Sequence, residues 1–447
     1  MGKKLSNKER LFVGSLIFGL FFGAGNLIFP IQIGQEAGSS VGKAIIGFLI
    51  TGIGLPFLGL LAFGLSKSGD LFSLASRVGE KYALYFTTIL YLIIGPIFAM
   101  PRLASTSFEI GIAPFLPKDA YGIGLLLFSA LFFVLVWLFS RKPSKILDYI
   151  GKFLTPLFLL LLFVILTMSL LFPLGGISEG AVQSGYAVSP FFKGFQEGYN
   201  TLDALAALAF GMLIIENIQR FGLTNPKTIA KETMKSGVMG IVLMGIIYTL
   251  LACLGATSLG TFSLNQNGGI TLAQVAQHYL GNFGSFLLAI IVIIACLKTA
   301  IGLSTSFGRT FSDLYPSKSY GFYTLVCILL ATLIANVGLN QIIELSLPIL
   351  MFIYPLAMTL IIMGVFDQVI GDRKEMYQWG IYLTMIPAFF DGLNALPTSI
   401  KTSSLITPLI EFAQRYFPLF EIGMTWVIFA FLGCLIGWVV SKKRVSF

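Results

Sequence analysis

The chain has 447 residues, of which 56% are hydrophobic and 11% are charged. A soluble domain carries about 25% charged residues, so this composition excludes a soluble globular protein and indicates a polytopic membrane protein. The net charge is +9. Most of the 29 lysine and arginine residues fall on one side of the predicted membrane, which indicates membrane orientation rather than nucleic-acid binding.

Twelve apolar stretches are each long enough to cross about 30 Å of hydrocarbon, which takes about 20 helical residues. They lie near residues 11–30, 44–65, 83–112, 121–140, 151–173, 199–218, 237–260, 284–308, 319–336, 341–365, 377–396 and 424–440. The sequence therefore predicts an all-α protein with twelve transmembrane helices.

The distribution of basic residues places both termini in the cytoplasm. We expect a multi-pass protein of the cell membrane that contacts the lipid bilayer. No nucleic-acid partner is expected, and no obligate protein partner is evident.

Span one contains a predicted break. Residues 21–30 read Phe-Phe-Gly-Ala-Gly-Asn-Leu-Ile-Phe-Pro, and a broken helix is tolerated in hydrocarbon only where it is buried in protein or lines a cavity. Free carbonyls at the end of the first half-helix suit a cation, and free amides at the start of the second suit a carboxylate. A zwitterionic amino acid with a sodium ion fits this pairing. The alternative is a close glycine contact between packed helices.

Span three carries two charges at membrane depth, where each costs about 2.5–3.5 kcal/mol on insertion scales. Arg102 and Glu109 lie seven residues apart on one helix face, and Pro96 and Pro101 are predicted to kink the span before them. The two charges are interpreted either as functional groups or as a structural ion pair, with each other or with Asp203 of span six.

The longest polar interruption, at about residues 174–198, separates spans five and six. It is predicted to be an extracellular loop between a first five-span half, residues 1–173, and a second, residues 199–365. Two further spans and a cytoplasmic tail occupy residues 366–447. An odd number of spans in each half gives the halves opposite orientations, which is the inverted-repeat plan of many secondary transporters. That plan predicts a second broken helix at the start of the second half.

Span six begins Tyr-Asn-Thr-Leu-Asp-Ala-Leu-Ala-Ala-Leu-Ala-Phe-Gly over residues 199–211. Its small residues permit close backbone approach, but alanine is a good helix former. This segment alone is therefore compatible with two interpretations, a broken helix and an unbroken packing helix. Asp203 is predicted to meet a substrate ammonium group or to carry a coupled proton.

Span eight carries candidate oxygen ligands and one cation. Ser304, Thr305 and Ser306 are consecutive hydroxyl residues, and hydroxyl and carbonyl oxygens suit Na⁺. The alternative is that these hydroxyls bond to carbonyls of their own helix. Lys298 lies about two turns earlier. Three interpretations are open: its side chain snorkels to the membrane surface, it pairs with a carboxylate, or its ammonium group lies near the cation site. In the last case its charge would weaken sodium binding and favour proton coupling.

Enzyme signatures are missing from the sequence, which contains no Walker loop, no HExxH motif and no cluster of histidine and cysteine. We therefore expect no enzyme and no cofactor, with Na⁺ or H⁺ as coupling ion only. A channel is disfavoured because the chain lacks a repeated filter loop or a charged ring. A transporter-like receptor is disfavoured because both predicted tails are short.

Several stretches together resemble the branched-chain amino acid:cation symporter family of the amino acid–polyamine–cation superfamily. They are Phe22-Gly-Ala-Gly-Asn-Leu-Ile-Phe-Pro30 with Gln32 and Glu36-Ala-Gly38, Pro101-Arg-Leu-Ala-Ser-Thr-Ser-Phe-Glu109, Leu202-Asp-Ala-Leu-Ala-Ala-Leu-Ala-Phe-Gly211 and Ala295-Cys-Leu-Lys-Thr-Ala-Ile-Gly-Leu303. The resemblance runs essentially end to end. It implies a LeuT-type core of two inverted five-helix repeats with helices one and six broken, and with spans eleven and twelve peripheral.

The resemblance also implies site residues. In LeuT-like transporters the first-helix break donates amides to the substrate carboxylate, which here implies Ala24, Gly25 and Asn26. The broken sixth helix supplies carbonyls for the ammonium group and an aromatic lid, which implies Ala204, Leu205, Ala207 and Phe210. A sodium site joins first-helix carbonyls to eighth-helix oxygens, which implies Gly19, Phe22, Ile301, Ser304 and Thr305. The candidates for coupling or structural charges are Asp203, Arg102, Glu109 and Lys298.

The activity implied by the resemblance is cation-driven uptake of leucine, isoleucine and valine. We therefore predict a secondary active symporter that imports these amino acids with Na⁺ by alternating access. Two alternatives stay open at this point. They are H⁺-coupled import of the same substrates and cation-coupled transport of another small amino acid.

Overall fold

The computed structural model describes residues 4–142, 147–177, 180–371 and 373–445, and within these ranges the chain forms helices and no strand. The first ten α-helices are α1 (Asn7–Phe21), α2 (Ala24–Ala37), α3 (Val41–Leu49), α4 (Leu55–Leu65), α5 (Leu71–Ala75), α6 (Glu80–Leu92), α7 (Ala99–Gly111), α8 (Tyr121–Ser140), α9 (Thr155–Leu171) and α10 (Ser184–Val188). The remaining α-helices are α11 (Pro190–Glu197), α12 (Asp203–Gln219), α13 (Pro226–Ser258), α14 (Gly268–Leu314), α15 (Tyr320–Ala335), α16 (Leu339–Val365), α17 (Asp367–Ile370), α18 (Lys374–Asn394), α19 (Thr398–Lys401), α20 (Thr407–Tyr416) and α21 (Thr425–Val445).

Every predicted span coincides with helical structure. Among the described residues, eight helical segments are long and apolar enough to cross a membrane, or nine if the bent pair 190–201 and 203–219 forms one span. α1 falls outside that number because the break in span one ends it after 15 residues. The structure is thus that of an all-helical, multi-pass membrane protein, and the number twelve stays a prediction.

The predicted break in span one is observed at Phe22 and Gly23, between α1 and α2. Gly23 has an extended backbone, with φ −112° and ψ −157°. Its N–H donates to the Asn26 Oδ1 at 2.9 Å instead of continuing α1. The asparagine therefore caps the second half-helix, which is the usual role of this residue type beside a helix start.

The structure also breaks span six, at Leu202. This residue adopts a left-handed conformation, with φ +65° and ψ +7°, which is uncommon for a residue other than glycine. The helices on its two sides are bent by 42° relative to each other. The first of them, α11 with the 3₁₀ turn Gly198–Thr201, begins inside the stretch 174–198 that the sequence assigns to an outer loop.

Span three is interrupted as well, at a π-helical turn over Ile93–Ile97. Gly95 has the non-helical angles φ −89° and ψ −114°, and Pro96 follows it. Proline lacks the N–H that an α-helix needs in its interior, so the chain restarts as α7. The kink that Pro96 predicts is therefore present, and it places Arg102 in the first turns of α7.

Glycines bring the second half of span one against α13. A Cβ atom built on Gly34 would overlap the Ala252 carbonyl oxygen, and one built on Gly255 would overlap the Ile31 carbonyl oxygen. Small residues allow membrane helices to touch backbone to backbone in this way. α2 is thereby held against α13, while α18 packs mainly on α21 and on α16, and α21 packs mainly on α18.

Candidate functional site

A small cavity lies where the breaks in spans one and six meet. Its walls come from the first break, the start of α7, the Leu202 turn with the start of α12, and the middle of α14. Its volume is about 30 Å³, which is room for about two water molecules. An amino acid needs more space, so the cavity must widen to bind one.

The cavity is lined by both polar and apolar residues. The polar groups include the guanidinium of Arg102, the carboxylate of Asp203, the amide of Asn26 and the hydroxyls of Thr201 and Thr299. The apolar side chains are Phe21, Ile94, Ala99, Leu103, Leu202, Ala206 and Leu303. This combination of few polar groups with an aliphatic wall is typical of a small-molecule site.

Asn26 joins the two broken helices. Its Nδ2 donates to Asp203 Oδ2 at 2.6 Å and is also bonded to the Tyr248 hydroxyl of α13. The Tyr248 hydroxyl donates to the same Asp203 oxygen at 2.9 Å. All three side chains are buried, so this network holds spans one, six and seven together at the cavity.

The start of α2 presents unpaired amides. Ala24, Gly25 and Asn26 are its first three residues, and the first N–H groups of a helix have no partner within it. Gly25 and Asn26 line the cavity. The structure thus places these three predicted residues together with Asp203, at the positive end of a helix.

Arg102 is buried and lines the cavity. The structural ion pair offered as one interpretation is not formed, because the ion pairs of the described residues include none between Arg102 and Asp203 or Glu109. Its guanidinium instead lies over the Phe29 ring, 5.5 Å from the centroid. Glu109, two turns further along α7, is not part of the cavity wall.

The four predicted span-six residues do not line the cavity. Ala204, Leu205, Ala207 and Phe210 are fully buried, but Leu202 and Ala206 form the wall instead. The reason is helical phase, because α12 starts at Asp203 and so turns Ala206 inward. Phe210 packs edge-on against Phe21, with centroids 5.9 Å apart, and therefore lies one layer behind the cavity.

The predicted cation ligands of span one lie at the end of α1. Since the Gly23 N–H bonds to Asn26, α1 does not continue, and the Gly19 carbonyl lies in its last, unpaired turn. The Phe22 carbonyl accepts a hydrogen bond from the Thr299 hydroxyl of α14 at 3.4 Å. Gly19 itself packs on Thr155 at the start of α9.

The predicted ligands of span eight are buried in α14, at Ile301, Ser304 and Thr305. The Thr305 hydroxyl donates to the Ile301 carbonyl at 2.7 Å. This is a bond to its own helix, which the sequence analysis gave as the alternative to cation binding. The Ser304 hydroxyl has no partner among the described residues. No hydrogen bond within the described ranges joins Ser304 or Thr305 to Gly19 or Phe22.

Lys298 lies in a cage of three phenylalanine rings. Its Nζ is 5.2 Å from the Phe18 centroid, 5.6 Å from that of Phe22 and 4.6 Å from that of Phe158. The residue is fully buried, so it does not snorkel, and within the described residues its ammonium has no hydrogen-bond partner. Ring faces attract cations, which explains how the charge is held beside a predicted cation ligand, Phe22.

The structure contains two larger cavities, which are called outer and inner after the membrane orientation that the basic residues predict. The outer cavity, of about 570 Å³, is lined by Phe29, Gln32, Glu197 and Asn340 among others. The inner cavity, of about 550 Å³, is lined by residues of α5, α6, α12 and α14. Neither of them shares a lining residue with the small cavity.

Hydrogen bonds join α6, α12 and α14 beside the inner cavity, whose lining includes Tyr91. The hydroxyls of Tyr91 and Ser306 both donate to the Ala209 carbonyl, at 3.0 and 2.6 Å. An ion pair joins Glu216 of α12 to Arg309 of α14.

Sequence reasoning did not identify Tyr91, Tyr248 or Thr299 as candidate site residues. The available signal was a polar group inside an apolar span, which does not by itself show where the side chain points.

Carboxylate and imidazole ligands do not explain a cation site here. In the part of the chain that the structure describes, no group of three or more histidine, cysteine, aspartate or glutamate side chains is placed to hold a metal ion.

Known proteins resemble this chain over its whole length. Residues 6–444 match the family described as branched-chain amino acid transport protein. The branched-chain amino acid permease BrnQ of Lactobacillus delbrueckii subsp. lactis is 43% identical over 99% of this chain and 100% of its own length. BrnQ of Bacillus subtilis (strain 168) is 42% identical over 100% of both chains, and BraB of the same organism is 38% identical over 99% and 97%.

A solved structure with a similar fold is that of MHP1, a nucleobase-cation-symport-1 family transporter, in a closed conformation with bromovinylhydantoin bound. The TM-score is 0.55 over 94% of this chain and 96% of that one, at 14% sequence identity. At this identity the likeness concerns the fold alone, which is a transporter fold. The family match covers residues 6–444, and the permeases are 38–43% identical to this chain. The chain therefore belongs to the branched-chain amino acid transport protein family, which is a family of transporters and not of enzymes.

Proposed function

We propose that this protein is a secondary active symporter that imports leucine, isoleucine and valine with Na⁺ by alternating access. The observation that carries the proposal is the small cavity between two broken helices, which is lined by Asp203, by the start of α2 and by apolar side chains. The permease names of the relatives agree with this substrate class.

The cavity chemistry suits a zwitterion with a branched aliphatic side chain. Asp203 is the carboxylate that would meet the ammonium group, and the unpaired amides of Ala24 and Gly25 suit an anion. Ile94, Leu103 and Leu303 form an apolar wall. One methylene in such a pocket changes binding by only about 1–3 kcal/mol. We therefore expect modest discrimination among leucine, isoleucine and valine.

Sodium is proposed as the coupling ion, held by oxygens of Gly19, Phe22, Ile301, Ser304 and Thr305. Two features support it, namely the Ser304 hydroxyl without a partner among the described residues and the unpaired last turn of α1. Cation binding would tie α14 to the broken span one. Substrate and cation would then stabilise the same conformation, which is the thermodynamic basis of coupling.

Lys298 favours the alternative, H⁺-coupled import. Its ammonium lies over the ring of Phe22, and a fixed positive charge beside a sodium site repels the ion. Transport of another small amino acid is the further alternative. The cavity must widen to bind any amino acid, and its present volume of about 30 Å³ does not determine which side chain fits after it widens.

The transport cycle is proposed to open the small cavity alternately to the outer and the inner one. In this scheme the chain crosses the cell membrane twelve times, with both termini in the cytoplasm. Two inverted repeats, residues 1–173 and 199–365, move relative to each other, with residues 366–447 peripheral. Support comes from the two breaks and from the two larger cavities.

The test is uptake of radiolabelled leucine by proteoliposomes holding the purified protein, with Na⁺ and pH gradients imposed separately. We expect the Na⁺ gradient to drive uptake, and the double variant Ser304→Ala/Thr305→Ala to lose that dependence. Thr332→Ala removes a similar hydroxyl bonded to its own helix in α15 and should behave as wild type.

Two other outcomes would each contradict one part of the proposal. Uptake driven only by the pH gradient would keep the substrate class and replace Na⁺ by H⁺. No uptake of leucine, isoleucine or valine under either gradient would contradict the substrate class itself.

A further inference from the structure

Arg102 is a buried cation that forms no ion pair with any residue that the structure describes. The residue is 5% exposed and lies near the start of α7, after the break at Gly95 and Pro96. A buried charge is costly unless an opposite charge or hydrogen-bond acceptors compensate it. The position therefore requires a physical explanation.

The Phe29 ring covers one face of the Arg102 guanidinium. No carboxylate among the described residues forms an ion pair with this guanidinium. The five N–H groups of a guanidinium lie in its plane, where a ring stacked on the face does not reach them. Asp203, the other charge in the cavity, already accepts two bonds from Asn26 and Tyr248 at Oδ2.

A second positive potential converges on the same place. A Cβ atom built on Gly25 would lie 3.4 Å from Nη2 of Arg102, so the guanidinium is beside the first turn of α2. That turn carries unpaired N–H groups and the positive end of a 14-residue helix. Both Arg102 and Gly25 line the cavity.

We propose that Arg102 binds the α-carboxylate of the transported amino acid, through two parallel N–H···O bonds, beside the start of α2. Arginine matches a carboxylate in this bidentate geometry. The assignment rests on the proposed function and deepens it, because it names the side chain that recognises the carboxylate, with Asp203 left for the ammonium group.

The proposal predicts that a free carboxylate is required for binding. An amino acid amide keeps the ammonium group and the side chain but leaves the buried guanidinium without an anion. A site built around a buried charged group rejects ligands that fail to pair with it. Phe29 lies on the guanidinium and also lines the outer cavity, so the carboxylate would bind just inside the outer closure.

The test compares the dissociation constants of leucine and leucinamide for the purified wild type and Arg102→Gln. In the wild type we expect leucinamide to bind at least about 100-fold more weakly than leucine, as for other buried charge pairs that lose one partner. In Arg102→Gln the two constants should agree within about 5-fold. Arg102→Lys keeps the charge without the fork and should give an intermediate ratio.

The control is Arg415→Gln, which removes an exposed arginine in α20 and should keep the wild-type ratio. Size-exclusion chromatography checks that each variant is folded, and Arg102→Lys carries the test if Arg102→Gln is not. An unchanged ratio in a folded Arg102 variant would overturn this inference and leave the proposed function standing. Failure of the wild type to bind leucine would overturn both.

Discussion

Asn26 shows how one side chain serves several structural roles in the cavity. Its carbonyl oxygen caps the Gly23 N–H, and its amide nitrogen is bonded to Asp203 and Tyr248. An unsatisfied polar group buried at such a site costs about 1–3 kcal/mol, so a network in which each group is paired is stable only as a whole. Opening of the cavity must therefore preserve or replace these bonds.

At the residue scale, Asp203→Asn is expected to weaken leucine binding by at least about 30-fold, because it removes the charge opposite the substrate ammonium group. The neutral amide keeps the shape of the side chain. The measurement is the dissociation constant of leucine, compared with that of 4-methylpentanoate, which has the same skeleton without the amino group.

The comparison separates charge from structure. A loss for leucine alone indicates pairing with the ammonium group, whereas an equal loss for both ligands would contradict that role. Asp119→Asn changes an exposed aspartate and should leave both constants unchanged.

At the scale of elements, breaks in three helices make the site. Leu202 occupies a left-handed conformation, which is strained for a residue with a Cβ atom. The strain is sustained because its neighbours Asn200, Thr201 and Asp203 are all buried. The break thus exposes the start of α12 to the cavity instead of to lipid, where unpaired amides would not be tolerated.

Gly25→Leu is expected to abolish leucine uptake while leaving membrane insertion intact. A Cβ atom at this position already lies 3.2 Å from the Phe29 ring, and the rest of the side chain would fill a cavity of about 30 Å³. Proteoliposome uptake is the measurement. Gly42→Leu is the matched control, since a Cβ atom there meets nothing within 4 Å. Normal uptake by Gly25→Leu would exclude the break as the site.

The contact between α6, α12 and α14 gives a prediction about gating. Tyr91→Phe removes a hydroxyl bonded to the Ala209 carbonyl, which contributes about 0.5–1.5 kcal/mol. If this bond is made only with the inner side closed, its loss shifts the population toward the inward-open state. We expect Met212→Cys, in the inner cavity, to react about 2- to 10-fold faster with a water-soluble maleimide.

The control for this prediction is Tyr85→Phe on the same helix, where the tyrosine is 66% exposed. It should leave the reaction rate of Met212→Cys unchanged. A rate that does not rise in Tyr91→Phe would show that the hydroxyl does not hold the inner side closed.

For the whole molecule, the proposed transport cycle opens the site in turn to the outer and the inner cavity. The lysine and arginine distribution predicts which side faces the cytoplasm, and this gives the cavities their names. Asn340 lines the outer cavity and Asp313 the inner one, and both side chains are exposed.

The orientation is tested with single cysteines at these two positions, in a protein whose four native cysteines are replaced by alanine. A membrane-impermeant maleimide applied to intact cells should label Asn340→Cys and should label Asp313→Cys only after permeabilisation. The reverse pattern would contradict the predicted orientation of the termini.

The sequence by itself determined the local features of this protein. Helices in lipid follow from the length and apolarity of each stretch, and breaks follow from backbone groups that cannot pair, so the interruptions at Gly23 and Pro96 were readable. Only the tertiary structure decided which side chains meet. Asn26 and Asp203 are 177 residues apart, and the phenylalanine cage of Lys298 combines α1, α9 and α14. The phase of α12 depends on the turn at Leu202, which is why Ala206 rather than Ala207 reaches the cavity.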